Sequence, residues 1–519
     1  MSDYGKYGMP PKKKGHGAKG YWIVGEGYYM PDQSDPMPEP AYDDKDPGKP
    51  MPMRFCRMFN KKAMAPAEPE GLQALGFAMN ELADTKHEAD IPAGMTYLGQ
   101  FIDHDISLTP SDGTGLIENP SVNPGRLPNE RTASLDLDSL YGKGPGREDF
   151  YQGDGKKFVI GPNTDLPSLP TGLKNDLPRK PDSKEARIGD HRNDENLAVA
   201  QTHLHFLKFH NKVVENEGPA TFDDARKIVR QHYQSIVLHD FTPRLVDPAI
   251  YDDVMANGRT WWMPEGAYGK GKLCMPVEFS VAAYRLGHSM VRNQYEWNRI
   301  FTTGGRRGIS TLAQLFQFSG LSGDLAGAPT LPVNWVVDWT RFHDFTDVEN
   351  VDNHPVSNKA RPIDTLLAMG LGDLPEFQGM DDILRNLAVR NLLRGAQLML
   401  PTGQEIAALI GATPLTPTEV AGGPHGKVVK DNGFDTATPL WYYILKEAEV
   451  KHHGQHLGEV GSTIVVETFH GLVEGSEHSI LKEANWKPTL KSADPNKFTM
   501  ADMLAYVGEL NPLGDSLTS

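Results

Sequence analysis

Four polar side chains stand close together in GMTYLGQFIDHDISLTP, residues 94 to 110: Gln100, Asp103, His104 and Asp105. An imidazole beside an amide and two carboxylates is equipment for moving protons, provided the group is held away from bulk water. The surrounding Met95, Tyr97, Leu98, Phe101, Ile102 and Ile106 recur at helical spacing and call for burial. At about 100° per residue, Gln100 and His104 fall one turn apart on one face of such a helix, flanked by Asp103 and Asp105. Taken alone, the stretch also fits a satisfied core histidine with solvated acids, so other segments must decide.

Further residues of the same kind are spread along the chain. His288 lies in RLGHS behind Arg285, among apolar neighbours, where a lone histidine is more often structural than a ligand. Arg192 precedes a strong helical pattern at 194 to 216, for which Asp194 is a reasonable N-cap. An arginine so placed can aim a fixed positive charge into a cavity. Asn391 and Arg394 are one turn apart in an amphipathic run at 380 to 400. Thr132, Asp136 and Asp138, with the carbonyl of Ser134, offer hard oxygens at short spacing, the ligand type that Ca²⁺ takes six to eight of. His452, His453 and His456 lack a carboxylate or cysteine at matching spacing and read as solvated surface.

The elements that would position these groups are mostly helical. Periodicity and capping predict helices over 71 to 84, 92 to 108, 194 to 216, 221 to about 240 and 277 to 297. The pattern resumes at 380 to 400, 440 to 449, 461 to 473 and 500 to 507. Thr221 and Asp224 form a capping-box pattern, and convincing strands are few. Residues 1 to 50 are rich in Gly, Pro, Tyr and charge and read as an extended or disordered arm. Residues 51 to 508 read as one large domain and 509 to 519 as a tail. Charged residues make up 23% of the 519 and the net charge is −16, which argues against a nucleic-acid scaffold. Cys56 and Cys274 are the only cysteines and stand far apart in sequence, which excludes a disulfide framework and any CxxC metal site. No Sec-type leader or bilayer-length apolar run is visible, so the default expectation is a cytoplasmic protein, with unconventional secretion as the other route.

Two histidines on separate helices, an arginine, a glutamine, an asparagine and a two-part oxygen cage make up the inventory of a haem peroxidase. The chain closely resembles the animal-type haem peroxidase superfamily, the myeloperoxidase and cyclooxygenase relatives, and looks like one of its bacterial members. GQFIDHD carries most of the likeness, with ARIGDHRNDENLAVAQTHLHFLKFHN, YRLGH and NLLRG following in the family's order. The resemblance implies a mainly α fold with very little β, haem b and Ca²⁺ as cofactors, and hydrogen peroxide plus a small-molecule electron donor as partners. It implies His104, Arg192 and Gln100 as the catalytic set, acting through a ferryl intermediate on phenolic or organic donors, halide or thiocyanate. His288 falls on the haem-iron ligand, Asn391 on its hydrogen-bond partner, and Arg394 and Arg285 on cofactor contacts. Asp103 and Glu195 match carboxylates that form ester links to haem in mammalian members. Asp105, Thr132, Ser134, Asp136 and Asp138 fall on the calcium site. Asn196 stands where a sulfonium-forming methionine would be needed, so no such link is expected. The position of the cyclooxygenase radical tyrosine is occupied by Arg285; Tyr284, one place off, would be turned about 100° away on a regular helix. A fatty-acid dioxygenase and a non-catalytic haem or adhesion protein are the alternatives.

Overall fold

Pro69 at a first helical turn, Asn and Thr caps ahead of apolar runs, and glycines after some of them set helix boundaries along the chain. The computed structural model describes residues 53–59, 68–81, 88–108, 128–129, 131–263, 273–305, 307–351, 356–375 and 382–515. The expected arm at 1 to 50 and positions 109 and 110 of the opening stretch lie outside these. The helices used below are α1 (Pro69–Ala78), α2 (Gly94–Ile106), α3 (Leu197–Glu217), α4 (Phe222–Ile236) and α5 (Pro248–Asn257). They continue with α6 (Gly287–Met290), α7 (Leu387–Gln397), α8 (Leu440–His452), α9 (Glu459–Gly475) and α10 (Met500–Val507). Strand is confined to short pieces: β1 (Met53–Cys56) pairs antiparallel with β2 (Pro128–Asn129) and parallel with β3 (Met275–Pro276), and β4 (Gln294–Tyr295) pairs with β5 (Ser310–Thr311). The fold is mainly α, as expected.

One continuous apolar core runs through all of the named helices. α2 is buried along almost its whole length, as its mixed composition requires if both faces are covered. Phe101 fixes its roll: the ring stacks on Phe206 of α3 at 4.5 Å and 6°, and stands edge-on to Tyr233 of α4 at 6.2 Å. At the N-terminus of α2 the backbone passes so near His343 that a Cβ on Gly94 would come within 2.2 Å of the ring, so only glycine fits.

Three expectations need revision. Asn196, not Asp194, caps α3, accepting from Val199 N at 3.0 Å, because Asp194 is taken by the buried Arg179 at 2.6 Å. The long helix expected over 277 to 297 is a π turn at Glu278–Ala282, a 3-10 turn at Ala283–Leu286 and then α6. Ala282, at φ −126° and ψ −74°, breaks the regular path between the first two. The two cysteines, distant in sequence, are joined: Cys56 ends β1 and Cys274 stands just before its neighbour β3, with Cα atoms 5.7 Å apart, and they form a disulfide. Sequence separation sets the loop a bond closes, not whether the fold brings its ends together.

This cross-link predicts that peptide mapping without reductant recovers Cys56 and Cys274 in one linked fragment. A Cys56→Ser/Cys274→Ser chain should unfold about 2–5 kcal/mol more easily in denaturant titration.

Candidate functional site

α2 presents His104 with its side chain fully shut from solvent. Its Nδ1 lies 2.8 Å from Asn193 Oδ1, an acceptor, so the ring donates from Nδ1 and Nε2 carries the lone pair. Asn193 is itself oriented by donating from Nδ2 to Nδ1 of His203 at 3.0 Å. Nε2 of His104 is buried and meets no hydrogen-bond partner. Burial first, and the nearby Arg192 charge second, push this histidine down to about 3, so the ring is neutral at physiological pH.

Arg192 is the second residue of a 3-10 turn, His191–Asp194, whose cap is Asp190. Nε and Nη2 of Arg192 both donate to the Asp190 carboxylate, Nη2 at 2.7 Å, and Nη2 also donates to the carbonyl of His104 at 3.1 Å. Nη1 is left buried with no partner. Asp190 is held from its other side by Arg131, through Nε at 3.0 Å and through Nη2. Burial alone would raise the Asp190 carboxyl; Arg131 and then Arg192 outweigh it and hold the group well below the usual carboxylate range.

Gln100 is also pinned: its Nε2 donates to Glu195 Oε2 at 3.2 Å, and its Oε1 accepts from Asn196 Nδ2 at 2.9 Å. Asp103 accepts from Ser107 Oγ at 3.1 Å and faces Arg285 at 3.8 Å. Across from α2, His288 on α6 is fully buried, with the Asn391 amide of α7 2.6 Å from its Nδ1 and Trp441 of α8 edge-on at 6.2 Å. Arg394 follows one turn along α7, half-buried. Beside these residues lies a pocket bounded by Gln100, Asp103 and Asn196 on one wall and Tyr284, Arg285 and Gly287 on the other. A Cβ built on Gly287 would meet nothing within 4 Å, which marks open space beside His288. Tyr284 faces this pocket after all, and its hydroxyl donates to the carbonyl of Gly99 at 3.1 Å. The 100° argument assumed a regular helix, and the π and 3-10 turns remove that premise.

The C-terminal side of His104 leads into a second cluster. Asp105 is fully buried and accepts from Leu137 N at 3.1 Å and from Ser139 Oγ at 3.1 Å. Ligand oxygens of Asp105, Asp136 and Asp138 lie within 4.8 Å of one another. Thr132 Oγ1 donates to Asp136 at 2.7 Å, Thr132 N donates to Asp138 at 3.0 Å, and Ser134 Oγ meets Ser476 Oγ at 3.0 Å. Burial and then the Asp138 and Asp136 charges push Asp105 well above its usual range, and burial lifts Asp138 to about 7 although Arg131 opposes it. Carboxylates crowded in this way are suited to a cation.

The structure thus places Gln100, Asp103 and Arg285 on this pocket, Arg192 against the His104 carbonyl, and Asp105, Asp136 and Asp138 in the acidic cluster, while Asn391 borders a second pocket with Trp441 and the 452–456 histidines lie apart. Asp190, Asn193 and Arg131 were missed. The first two lie inside the ARIGDHRNDENL motif, and only their partners reveal what they do.

Known proteins resemble this chain in sequence and in fold. Residues 114–317 match the animal haem peroxidase family, a span that includes Asp136, Arg192 and His288 and leaves out α2 and Asn391. A peroxidase-like protein of Margaritifera margaritifera is 28% identical over 256 residues, 39% of this chain and 32% of that protein. The probable oxidoreductase PXDNL of Homo sapiens is 26% identical over 181 residues, 31% of this chain and 12% of its own. The chain therefore matches a third or less of these relatives' length. In fold it is similar to peroxidase A from Dictyostelium discoideum, with a TM-score of 0.58 at 16% identity over 90% of this chain and 96% of that one. It is also similar to Oryza sativa fatty acid alpha-dioxygenase, with a TM-score of 0.54 at 13% identity over 87% and 80%.

The Arg131–Asp190–Arg192 clamp makes a prediction of its own. Asp190→Ala leaves the buried Arg192 and the largely covered Arg131 facing each other and should lower stability by about 3–5 kcal/mol, read as an earlier urea midpoint.

Proposed function

We propose, from the premise that this chain belongs to the animal haem peroxidase superfamily, that it uses hydrogen peroxide to oxidise small donors. These would be phenolic or other organic compounds, or halide and thiocyanate. The observation that carries this reading is the pair of buried, unsatisfied donor and acceptor atoms at His104 Nε2 and Arg192 Nη1. Both are buried polar atoms of the kind that a bound molecule would satisfy.

The residues present fit haem b. His288 would hold its iron through Nε2, with the Asn391 amide oxygen turned to accept from Nδ1. Arg394 and Arg285 would meet its carboxylates, and Asp103 and Glu195 stand as the acids for any ester link. When bound, haem supplies the iron at which peroxide is reduced. His104 would take a proton from peroxide at Nε2 and return it to the departing oxygen, so that water leaves rather than hydroxide. Asn193 keeps the receiving lone pair on Nε2. Arg192 cannot lose its proton and balances the negative charge that builds up as the O–O bond breaks. Gln100, gripped by Glu195 and Asn196, presents a fixed amide to the same space.

Asp105, Thr132, Ser134, Asp136 and Asp138 are assigned to Ca²⁺, which would relieve the mutual repulsion of the three carboxylates and brace the residue next to His104. The Cys56–Cys274 bond favours an oxidising compartment over the cytoplasm for the mature chain. Among the described residues no helix is long and apolar enough to cross a membrane.

A fatty-acid dioxygenase is the second reading, favoured by one observation: Tyr284 borders the same pocket as Gln100 and Asp103.

For the main reading, purified protein should show a Soret band and peroxide-dependent phenol oxidation. His104→Ala should cut that turnover by about 10²–10⁴-fold while haem stays bound, and His288→Ala should lose the haem. Wild-type turnover in His104→Ala would end the distal assignment, and oxygen uptake with unsaturated fatty acids would move the reading to the dioxygenase. Elemental analysis of active protein should find one Ca²⁺ per chain, and its removal by chelator should lower both activity and melting temperature until Ca²⁺ is restored. Active protein without calcium would sink that assignment.

A further inference from the structure

The histidines near the end of α8 lacked a carboxylate in the sequence, and the fold brings one from another helix. α8 ends at His452, His453 closes it in the left-handed conformation at φ 53°, and the turn that follows carries His456 back over His452. The two rings lie 4.0 Å apart at 34°. Asp247 caps α5, accepting from Ala249 N at 2.8 Å through Oδ1, while its Oδ2 faces His452 Nε2 at 3.9 Å. One ligand atom from each of Asp247, His452 and His456 lies within 4.8 Å of the others. His453 is not part of the set.

Two further features point to a ligand. Nε2 of His452 is closed off from solvent and has no hydrogen-bond partner. Nδ1 of His456 lies 2.9 Å from the carbonyl of Leu457, so the ring donates there and its Nε2 keeps a lone pair, the arrangement found for metal-bound imidazoles. The segments that carry the three groups are tied together. Leu457 N donates to Leu245 O at 2.8 Å, and Asp247 N donates to Ser462 Oγ at 2.8 Å. The neighbouring cation does not compete for Asp247: Lys451 is bound to Glu459 at 2.6 Å and stands 3.8 Å from Glu447.

We propose that Asp247, His452 and His456 form a binding site for a borderline divalent first-row metal ion such as Zn²⁺. Two imidazoles and one carboxylate select that class over Ca²⁺ and Mg²⁺, which require oxygen ligands throughout. Three protein ligands leave at least one position for water or a further ligand. Ligand atoms around tetrahedral zinc stand roughly 3.3 Å apart, given bonds of about 2.0–2.1 Å, so a small side-chain rotation closes the 3.9 Å gap. A bound ion would clip the start of α5 to the α8–α9 turn. None of the three residues borders the pocket between α2 and α6.

The test is calorimetric titration of Zn²⁺ into the purified, chelator-washed full chain in excess Ca²⁺, which fills the all-oxygen cluster. One equivalent should bind and raise the melting temperature. Asp247→Asn keeps the helix cap, since asparagine caps as well as aspartate, and should weaken binding at least 10-fold, as should His456→Gln. Both variants should melt like the wild type in chelator. Absence of stoichiometric Zn²⁺ binding, or wild-type affinity in the Asp247→Asn/His456→Gln double variant, would overturn the proposal.

Discussion

A buried carboxylate held between two arginines is the interaction on which the rest of the site depends. Asp190 is bound by Arg131 on one side and Arg192 on the other, and it also caps the turn that carries Arg192. Taking three charges out of water is costly unless each is fully engaged. The arrangement supplies that engagement while leaving one nitrogen of Arg192 unsatisfied. Arg131 extends the link to Asp138 at 3.6 Å, and Arg192 donates to the carbonyl of His104. The acidic cluster and the buried imidazole are therefore two ends of one polar network, so a cation held at the cluster would steady the base as well as the loop.

The segment that carries His288 is built by different means. Between Glu278 and Met290 the chain is π, then 3-10, then α, which a single α-helix could not match in side-chain direction. That irregular path is anchored at its start. Glu278 accepts from Met58 N at 2.9 Å, and the disulfide joins the strand just before Met58 to the strand just before Glu278. At its end, Asn391 of α7 orients the ring. α7 is held in turn by α1, where a Cβ on Gly76 would come within 2.6 Å of the Val389 backbone, so the two helices cross at close range. Functional segments are common places for π and 3-10 geometry, because neighbouring packing must enforce it.

The amino-acid sequence by itself determined the helical class, most helix positions and the polar residues of α2, because apolar periodicity and caps are local signals and GQFIDHD concentrates its chemistry within seven residues. The Thr221–Asp224 capping box and the helix at 500 to 507 needed nothing beyond their own neighbours. Only the tertiary structure decided the pairings. Asp194 lost the cap of α3 to a buried arginine, Tyr284 turned to the pocket because its helix is irregular, and Cys56 met Cys274. His452 and His456 found their carboxylate at Asp247. Each of these depends on which distant groups share a small volume, and a linear pattern with a period of two or 3.6 residues carries no information about that.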